Sequence, residues 1–228
     1  HPRRTPRARI PPQCLRLSSQ ELVAAHVGNG LVRADALQAV GGCWAGITMN
    51  RRSSRRLALV IGSGGVRAAS ALGVAGVLND ERLAPSLIVG CSAGALFGAL
   101  LATGRPVDEA VKTATTLWTQ GLTRRRRWSA AAQMLMPRLL GFNADFALRD
   151  DAPVLERLHA AFGTLRFADL PVPLRVTATC ADTGNTVVLN EGLLVDALRA
   201  SIALPFMFAP QQLAGRRLVD GFVSDPLP

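Results

Sequence analysis

Histidine is scarce in this chain: 228 residues hold only His1, His26 and His159. A nucleophile that relies on an imidazole base is therefore poorly supplied. Cysteine is sparse and scattered, at Cys14, Cys43, Cys91 and Cys180, with no C-x-x-C pair and no neighbouring histidine cluster. That pattern argues against a zinc site and gives no disulfide framework, so a reducing compartment is the expectation. Lys112 is the sole lysine, an arginine bias that looks like a GC-rich coding sequence and carries no functional argument. No uninterrupted apolar run approaches the ~20 residues of a membrane-spanning helix. The opening "HPRRTPRARIPPQ" leads into no apolar h-region, so it does not read as a signal peptide.

What is present is a large apolar fraction, 49% of residues, enough for one substantial core. The formal charge is +10, from 26 basic and 16 acidic residues, but it is unevenly spread. Residues 1–56 hold ten arginines against Glu21 and Asp35, whereas the remainder is nearly balanced. A nucleic-acid reading of the body thereby loses its main support, and no nucleic-acid partner is expected. Residues 1–56, rich in arginine, proline and glycine without sustained periodicity, read as a disordered or spurious leader apart from a short helix near Ser19–His26. The chain begins with His1, and Met49 offers a natural start, which would make residues 1–48 an upstream read-through. With an equally abrupt end at Pro228, the expectation is a fragment in which one domain, residues 57–228, is truncated at its C-terminus.

Order is expected from "LALVI" (57–61), a continuous apolar run of the kind found in a strand covered on both faces. A glycine turn and a helix over 66–79 follow, then a second buried strand "SLIVG" (86–90). A helix over 93–103 is stopped by Gly104 and Pro106, and Asp108 opens another to about Gln120. The stretch "GLTRRRRWSAAAQMLMPRLLGFNADFALRDD" reads as a mobile segment or lid. "LRVTATC" and "TVVLN" read as strands around "ADTGN", "GLLVDALRAS" as a helix, and "RRLVDGF" as a final strand and turn. Strands alternating with helices indicate an α/β layered fold with a mainly parallel sheet.

Three motifs carry chemistry. "VIGSGGVRAAS" (60–70) partly matches the dinucleotide fingerprint through Gly62 and Gly64. Arg67 stands where the third glycine belongs, and the P-loop pattern is absent. Alone, a structural βα turn and a functional one fit it equally. "GCSAG" (90–94) matches G-x-S-x-G between a buried strand and a helix. In that setting Ser92 reads as a nucleophile in a strained elbow, with Gly90 and Gly94 required by close backbone approach. Small residues in a tight turn are the plainer alternative. Its base cannot readily be a histidine, because His1 and His26 lie in the leader and His159 sits at helical spacing in "VLERLHAAFG". A carboxylate acting directly is therefore considered. Asp220–Gly221 follows a short apolar run; by itself it reads as a turn, and with the other two motifs as part of a site.

Together these segments resemble the patatin-like phospholipase family, whose members use a Ser–Asp dyad. "SGGVRA" is similar to its G-G-G-x-R-G oxyanion motif, "GCSAG" to its elbow and "DGF" to its D-G-[GA] motif. "ASIALPFMF" resembles its A-S-x-A-x-P-x-x-F stretch, and "TATCADTGNTVV" its T-D-x-x-T-G strand-turn-strand. The resemblance covers about residues 57–228. It implies a three-layer α/β/α fold, Ser92 as nucleophile, Asp220 as general base and an oxyanion hole at Gly64, Gly65 and Arg67. Gly90, Gly94 and Gly221 then shape the turns, with no metal or cofactor. Ser63, Ala68 and Phe222 depart from the pattern, and Phe222 is expected to reshape the acyl pocket.

The implied activity is hydrolysis of phospholipid or lysophospholipid esters through an acyl-enzyme. An α/β-hydrolase-type esterase whose histidine lies beyond Pro228, and a catalytically silent binding module, remain as alternatives. A nucleotide-binding oxidoreductase ranks last. The expected location is cytoplasmic, with contact to an anionic membrane surface. Arg124–Arg127 beside Trp128 could touch lipid headgroups, although a solvated basic loop explains the run at least as well.

Overall fold

The structure, a computed structural model, describes residues 56–117 and 146–228, together with the backbone of residues 23–27. Among these residues seven strands form one sheet: β1 (Val23–Val27), β2 (Leu57–Ile61), β3 (Leu87–Cys91), β4 (Leu174–Cys180), β5 (Thr186–Leu189), β6 (Gln211–Leu213) and β7 (Arg216–Asp220). Neighbours β1, β2, β3 and β4 are parallel, while β5 and β7 run antiparallel to β4 and β6 antiparallel to β7. The α/β class and the mainly parallel sheet are as expected.

The apolar runs of β2 and β3 do what such runs require. Leu59, Ile61 and Ile88 are fully buried, because the crossover helices of a parallel sheet cover its faces. Among the described residues five α-helices complete the layers: α1 (Ser70–Asp80), α2 (Ala93–Ala102), α3 (Val107–Leu117), α4 (Ala152–Phe162) and α5 (Leu194–Ser201). Helix α2 is apolar on every side, and nine of its ten residues are buried. It packs close to the sheet because Gly98 has no side chain: a Cβ there would sit 3.1 Å from Ile88 Cγ2 and 3.5 Å from Ile61 Cδ1. One core cluster runs through β2, β3, β4 and α1–α5.

Two features differ from the sequence reading. Over 23–27 the backbone is a strand paired in parallel with β2, with Val23 opposite Leu57 and Val27 opposite Ile61, rather than part of a helix over Ser19–His26. A parallel edge position supplies hydrogen-bond partners that five isolated residues could not find as a helical turn. Strand β6 is the second: three residues, "QQL", form a hairpin with β7 whose turn residues Ala214 and Gly215 both take positive φ. The Arg124–Arg127 run, Met49 and most of the anticipated lid lie outside the described residues.

The sheet's register places the chemistry. Val176 and Thr177 pair with β3 and also with β5, so those two strands occupy opposite edges of β4. Ala178 and Thr179 pair with β5 and also with β7, which puts β7 on the edge that β3 has just vacated. Cys91 lies opposite Thr177 and Asp220 opposite Ala178. Two segments far apart in sequence thus end beside consecutive residues of one strand.

Candidate active site

Strand β3 ends at Cys91 and helix α2 starts at Ala93, leaving Ser92 alone to turn the chain. Its backbone is strained, with φ 55° and ψ −126°, a left-handed geometry that a residue with a Cβ adopts only when its surroundings enforce it, at a cost of roughly 1–3 kcal/mol. The enforcement is visible. A Cβ on Gly90 would lie 2.5 Å from Ala95 Cα, and one on Gly94 would lie 2.3 Å from Ile61 O. Both glycines are therefore fixed by close backbone approach, as the elbow motif requires.

Asp220 closes β7. Its side chain is 2% exposed, and Ser92 Oγ donates to Asp220 Oδ2 at 2.7 Å. The other carboxylate oxygen accepts the Phe222 N–H at 2.9 Å, and the Asp220 N–H donates to Ala203 O at 2.9 Å. Burial pushes the carboxyl up from 3.8 to about 6, opposed by the hydrogen bonds from Phe222 and Ser92. A carboxylate so placed is ionised at neutral pH yet far more basic than a solvated aspartate, which is the property a general base needs. Gly221 must lack a side chain, because a Cβ would lie 2.6 Å from Thr177 O. Phe222 contributes through its amide; its ring is half exposed.

The glycine turn stands between β2 and a short 3-10 helix, Gly65–Ala69. Gly65 takes φ 57°, and a Cβ there would meet nothing within 4 Å, so open space faces this turn. Among the described residues neither the Gly64 nor the Gly65 amide has an acceptor, as is common for the first N–H groups of a helix. Arg67 is exposed within the 3-10 helix, while Ala68 packs inward. The segment after Asp220 returns to brace the turn: Ser63 N–H donates to Pro226 O at 2.8 Å, and a Cβ on Gly62 would lie 2.9 Å from that same oxygen.

His159 is exposed on α4 and lines a cleft of about 410 Å³ with Arg105 and Asp169. Arg105 follows the C-terminal end of α2, whereas Ser92 precedes its N-terminal end; ten helical residues span about 15 Å. This histidine therefore belongs to a different part of the molecule. The side chain of His26 is outside the described residues.

Several supporting groups carried no role in the sequence reading. Ser201 Oγ accepts the Ser92 N–H at 2.8 Å and donates to Thr177 O at 2.7 Å. Thr179 Oγ1 donates to Asp220 O at 2.9 Å and lies 2.8 Å from Ser224 Oγ. Arg199, 1% exposed, pairs with Asp151 and donates to Ala209 O, tying α5 to the start of α4 and to the loop before β6. Cys91, beside Ser92, is held as the thiol: burial pushes it up to about 12. A hydroxyl in "ALRAS" or an arginine on a helix gives no sign of burial in a single sequence, so only the alternation of apolar positions around them could have hinted at it.

A family model described as patatin-like phospholipase matches residues 59–228. An uncharacterized NTE family protein of Mycobacterium bovis is 34% identical over 184 residues, covering 81% of this chain and 47% of the relative. A counterpart in Mycobacterium tuberculosis matches to the same extent. Another NTE family protein of Mycobacterium bovis is 26% identical over 183 residues, covering 80% of this chain and 29% of the relative. The chain thus spans about half the length, or less, of these curated relatives. The crystal structure of VipD from Legionella pneumophila aligns with 75% of this chain and 46% of its own, at 16% identity and a TM-score of 0.47.

Proposed function

Because the chain belongs to the patatin-like phospholipase family, we propose that it is a serine lipid acyl hydrolase that cleaves carboxylic esters of phospholipids or lysophospholipids through Ser92 and Asp220. The observation that carries this reading is the direct 2.7 Å hydrogen bond from Ser92 Oγ to the buried Asp220 carboxylate. No imidazole stands between them, which favours the dyad over an esterase that borrows a histidine from elsewhere.

In the proposed reaction Asp220 Oδ2 takes the Ser92 hydroxyl proton as Oγ attacks the ester carbonyl carbon. The resulting oxyanion is held by the Gly64 and Gly65 N–H groups, with Arg67 and the N-terminus of α2 adding positive potential. Loss of one such donor raises the barrier by about 2.7–4 kcal/mol. The bond to the leaving alcohol breaks, and the proton on Asp220 passes to its oxygen, leaving acyl-Ser92. Water then attacks the acyl carbon and gives its proton to Asp220, the fatty acid leaves, and Ser92 Oγ recovers its hydrogen. The strained elbow pre-sets Oγ for attack, and Gly90, Gly94 and Gly221 permit the approach of the strands that carry the dyad.

Such a substrate brings the protein to a lipid surface. Among the described residues no helix is long and apolar enough to cross a membrane; we propose peripheral contact with an anionic surface from the cytoplasmic side. The test is fatty-acid release from phospholipid and lysophospholipid vesicles by the wild-type chain, Ser92→Ala and Asp220→Asn. Release by wild type, lost in both folded variants, supports the reading. An active Asp220→Asn places the base elsewhere, and a folded but silent wild type turns the assignment towards other esters or a binding role.

A further inference from the structure

The hydroxyl of Ser201 hydrogen-bonds neither Ser92 Oγ nor the Asp220 carboxylate, yet it is completely buried and bonded at the nucleophile's backbone. It accepts the Ser92 N–H at 2.8 Å and donates to Thr177 O at 2.7 Å. The direction of both bonds is fixed. A carbonyl oxygen can only accept, so the Ser201 proton goes to Thr177 and its lone pair to Ser92.

The partners matter because of where they stand. Thr177 is the residue of β4 opposite Cys91, and its successor Ala178 is opposite Asp220. The Thr177 carbonyl also abuts Gly221, on which a Cβ would lie only 2.6 Å away. A single carbonyl thus limits the approach of the base-carrying turn and, through Ser201, anchors the nucleophile-carrying elbow. The elbow needs an anchor: Ser92 sits at φ 55°, and a residue in that region relaxes unless its neighbours hold it. The bond also consumes the Ser92 amide, which leaves the oxyanion to donors outside the elbow's own serine.

We propose that Ser201 is a positioning residue, holding Ser92 in its strained conformation at hydrogen-bond distance from Asp220. The inference rests on the dyad reading and extends it by one residue that contacts neither reacting group. Without the hydroxyl, the elbow keeps its glycines and its helix but loses the tether on the Ser92 amide, and Oγ drifts from the attack geometry. Displacements of about 1 Å cost on the order of 100-fold in rate. Ground-state lipid binding does not involve this buried atom, so the loss falls on kcat.

The test compares wild type with Ser201→Ala on ester hydrolysis and on fluorophosphonate inactivation, with a thermal midpoint for each. The expected result is a kcat lower by about 10–100-fold, KM within about twofold, inactivation slowed in parallel, and the acid limb of the pH profile unmoved because Asp220 keeps its surroundings. Full kcat in Ser201→Ala overturns the proposal. So does a loss confined to KM or to the thermal midpoint, which is what a purely structural hydroxyl produces. Should Ser201→Ala fail to fold, the near-isosteric pair Ser201→Thr and Ser201→Val isolates the hydroxyl: the threonine variant retains activity and the valine variant does not, and equal behaviour of the two overturns the proposal. A wild-type chain inert to both ester and fluorophosphonate would sink the hydrolase reading itself, an outcome distinct from an active Ser201→Ala.

Discussion

Replacing Asp220 by asparagine is expected to abolish activity and to stabilise the protein, and pH controls the second effect. Asp220 is 2% exposed with its carboxyl raised from 3.8 to about 6, so the folded protein holds its proton more tightly than the unfolded chain does. Between those values the native state binds more protons, and stability falls as pH rises from about 4 through about 6. Above that window the buried charge costs the full difference of about two units, roughly 3 kcal/mol. Asparagine is neutral at every pH, nearly isosteric, and can still accept the Phe222 N–H and donate to Ser92 Oγ. Asp220→Asn should therefore exceed wild type by up to roughly 3 kcal/mol at pH 8, a rise in thermal midpoint of roughly 6–12 °C at this chain length. Below pH 4 the two should converge. The assay is thermal or denaturant unfolding of both proteins across pH 4–8, beside kcat/KM profiles in which wild type shows an acid limb near 6. A variant less stable than wild type at pH 8, or a difference that does not shrink on acidification, refutes the argument that burial is what raises this carboxyl.

Two further substitutions probe the elbow. Ser92→Gly and Ser92→Ala should both be inactive, but the glycine variant should be the more stable by about 1 kcal/mol, because relief of strain at φ 55° outweighs glycine's entropic cost; equal midpoints would mean that the elbow stores no strain. Gly94→Ala places a Cβ 2.3 Å from Ile61 O and 2.5 Å from Gly62 O, both backbone atoms with no side chain to swing away. It should cost several kcal/mol and yield little folded protein, and a stable, active Gly94→Ala would show that α2 approaches β2 less closely than described.

Much of the fold was legible because its middle strands and α2 are nearly pure in character. "LALVI" and "LIVG" have no polar face to offer water, so a buried parallel strand is their natural state. Proline and glycine mark where α2 ends. Legibility failed where pairing, not composition, decides the structure. "VAAHV" sits in an arginine- and proline-rich stretch and gains its strand from pairing with β2, and "QQL" has too little apolar pattern to announce an edge strand. The candidate site divides the same way. Ser92, its glycines and Asp220 each stand in a recognisable local motif, but their meeting depends on β3 and β7 sharing one edge of β4 end to end, a register that no local pattern encodes. It was resemblance to a family that joined them. Ser201 stands in the "ASIALPFMF" stretch, but its part was not legible there, because a serine at a helix terminus ordinarily faces water and only the packing of α5 against β4 turns it inward.

The dyad itself is most directly tested by covalent capture. The chain, incubated with a fluorophosphonate at pH 8 and analysed by intact mass and peptide mapping, should gain one adduct, on Ser92. The adduct should be absent from Ser92→Ala and strongly slowed in Asp220→Asn. An adduct on another residue, or undiminished labelling of Ser92 in Asp220→Asn, would contradict the assignment of Ser92 as nucleophile with Asp220 as its base.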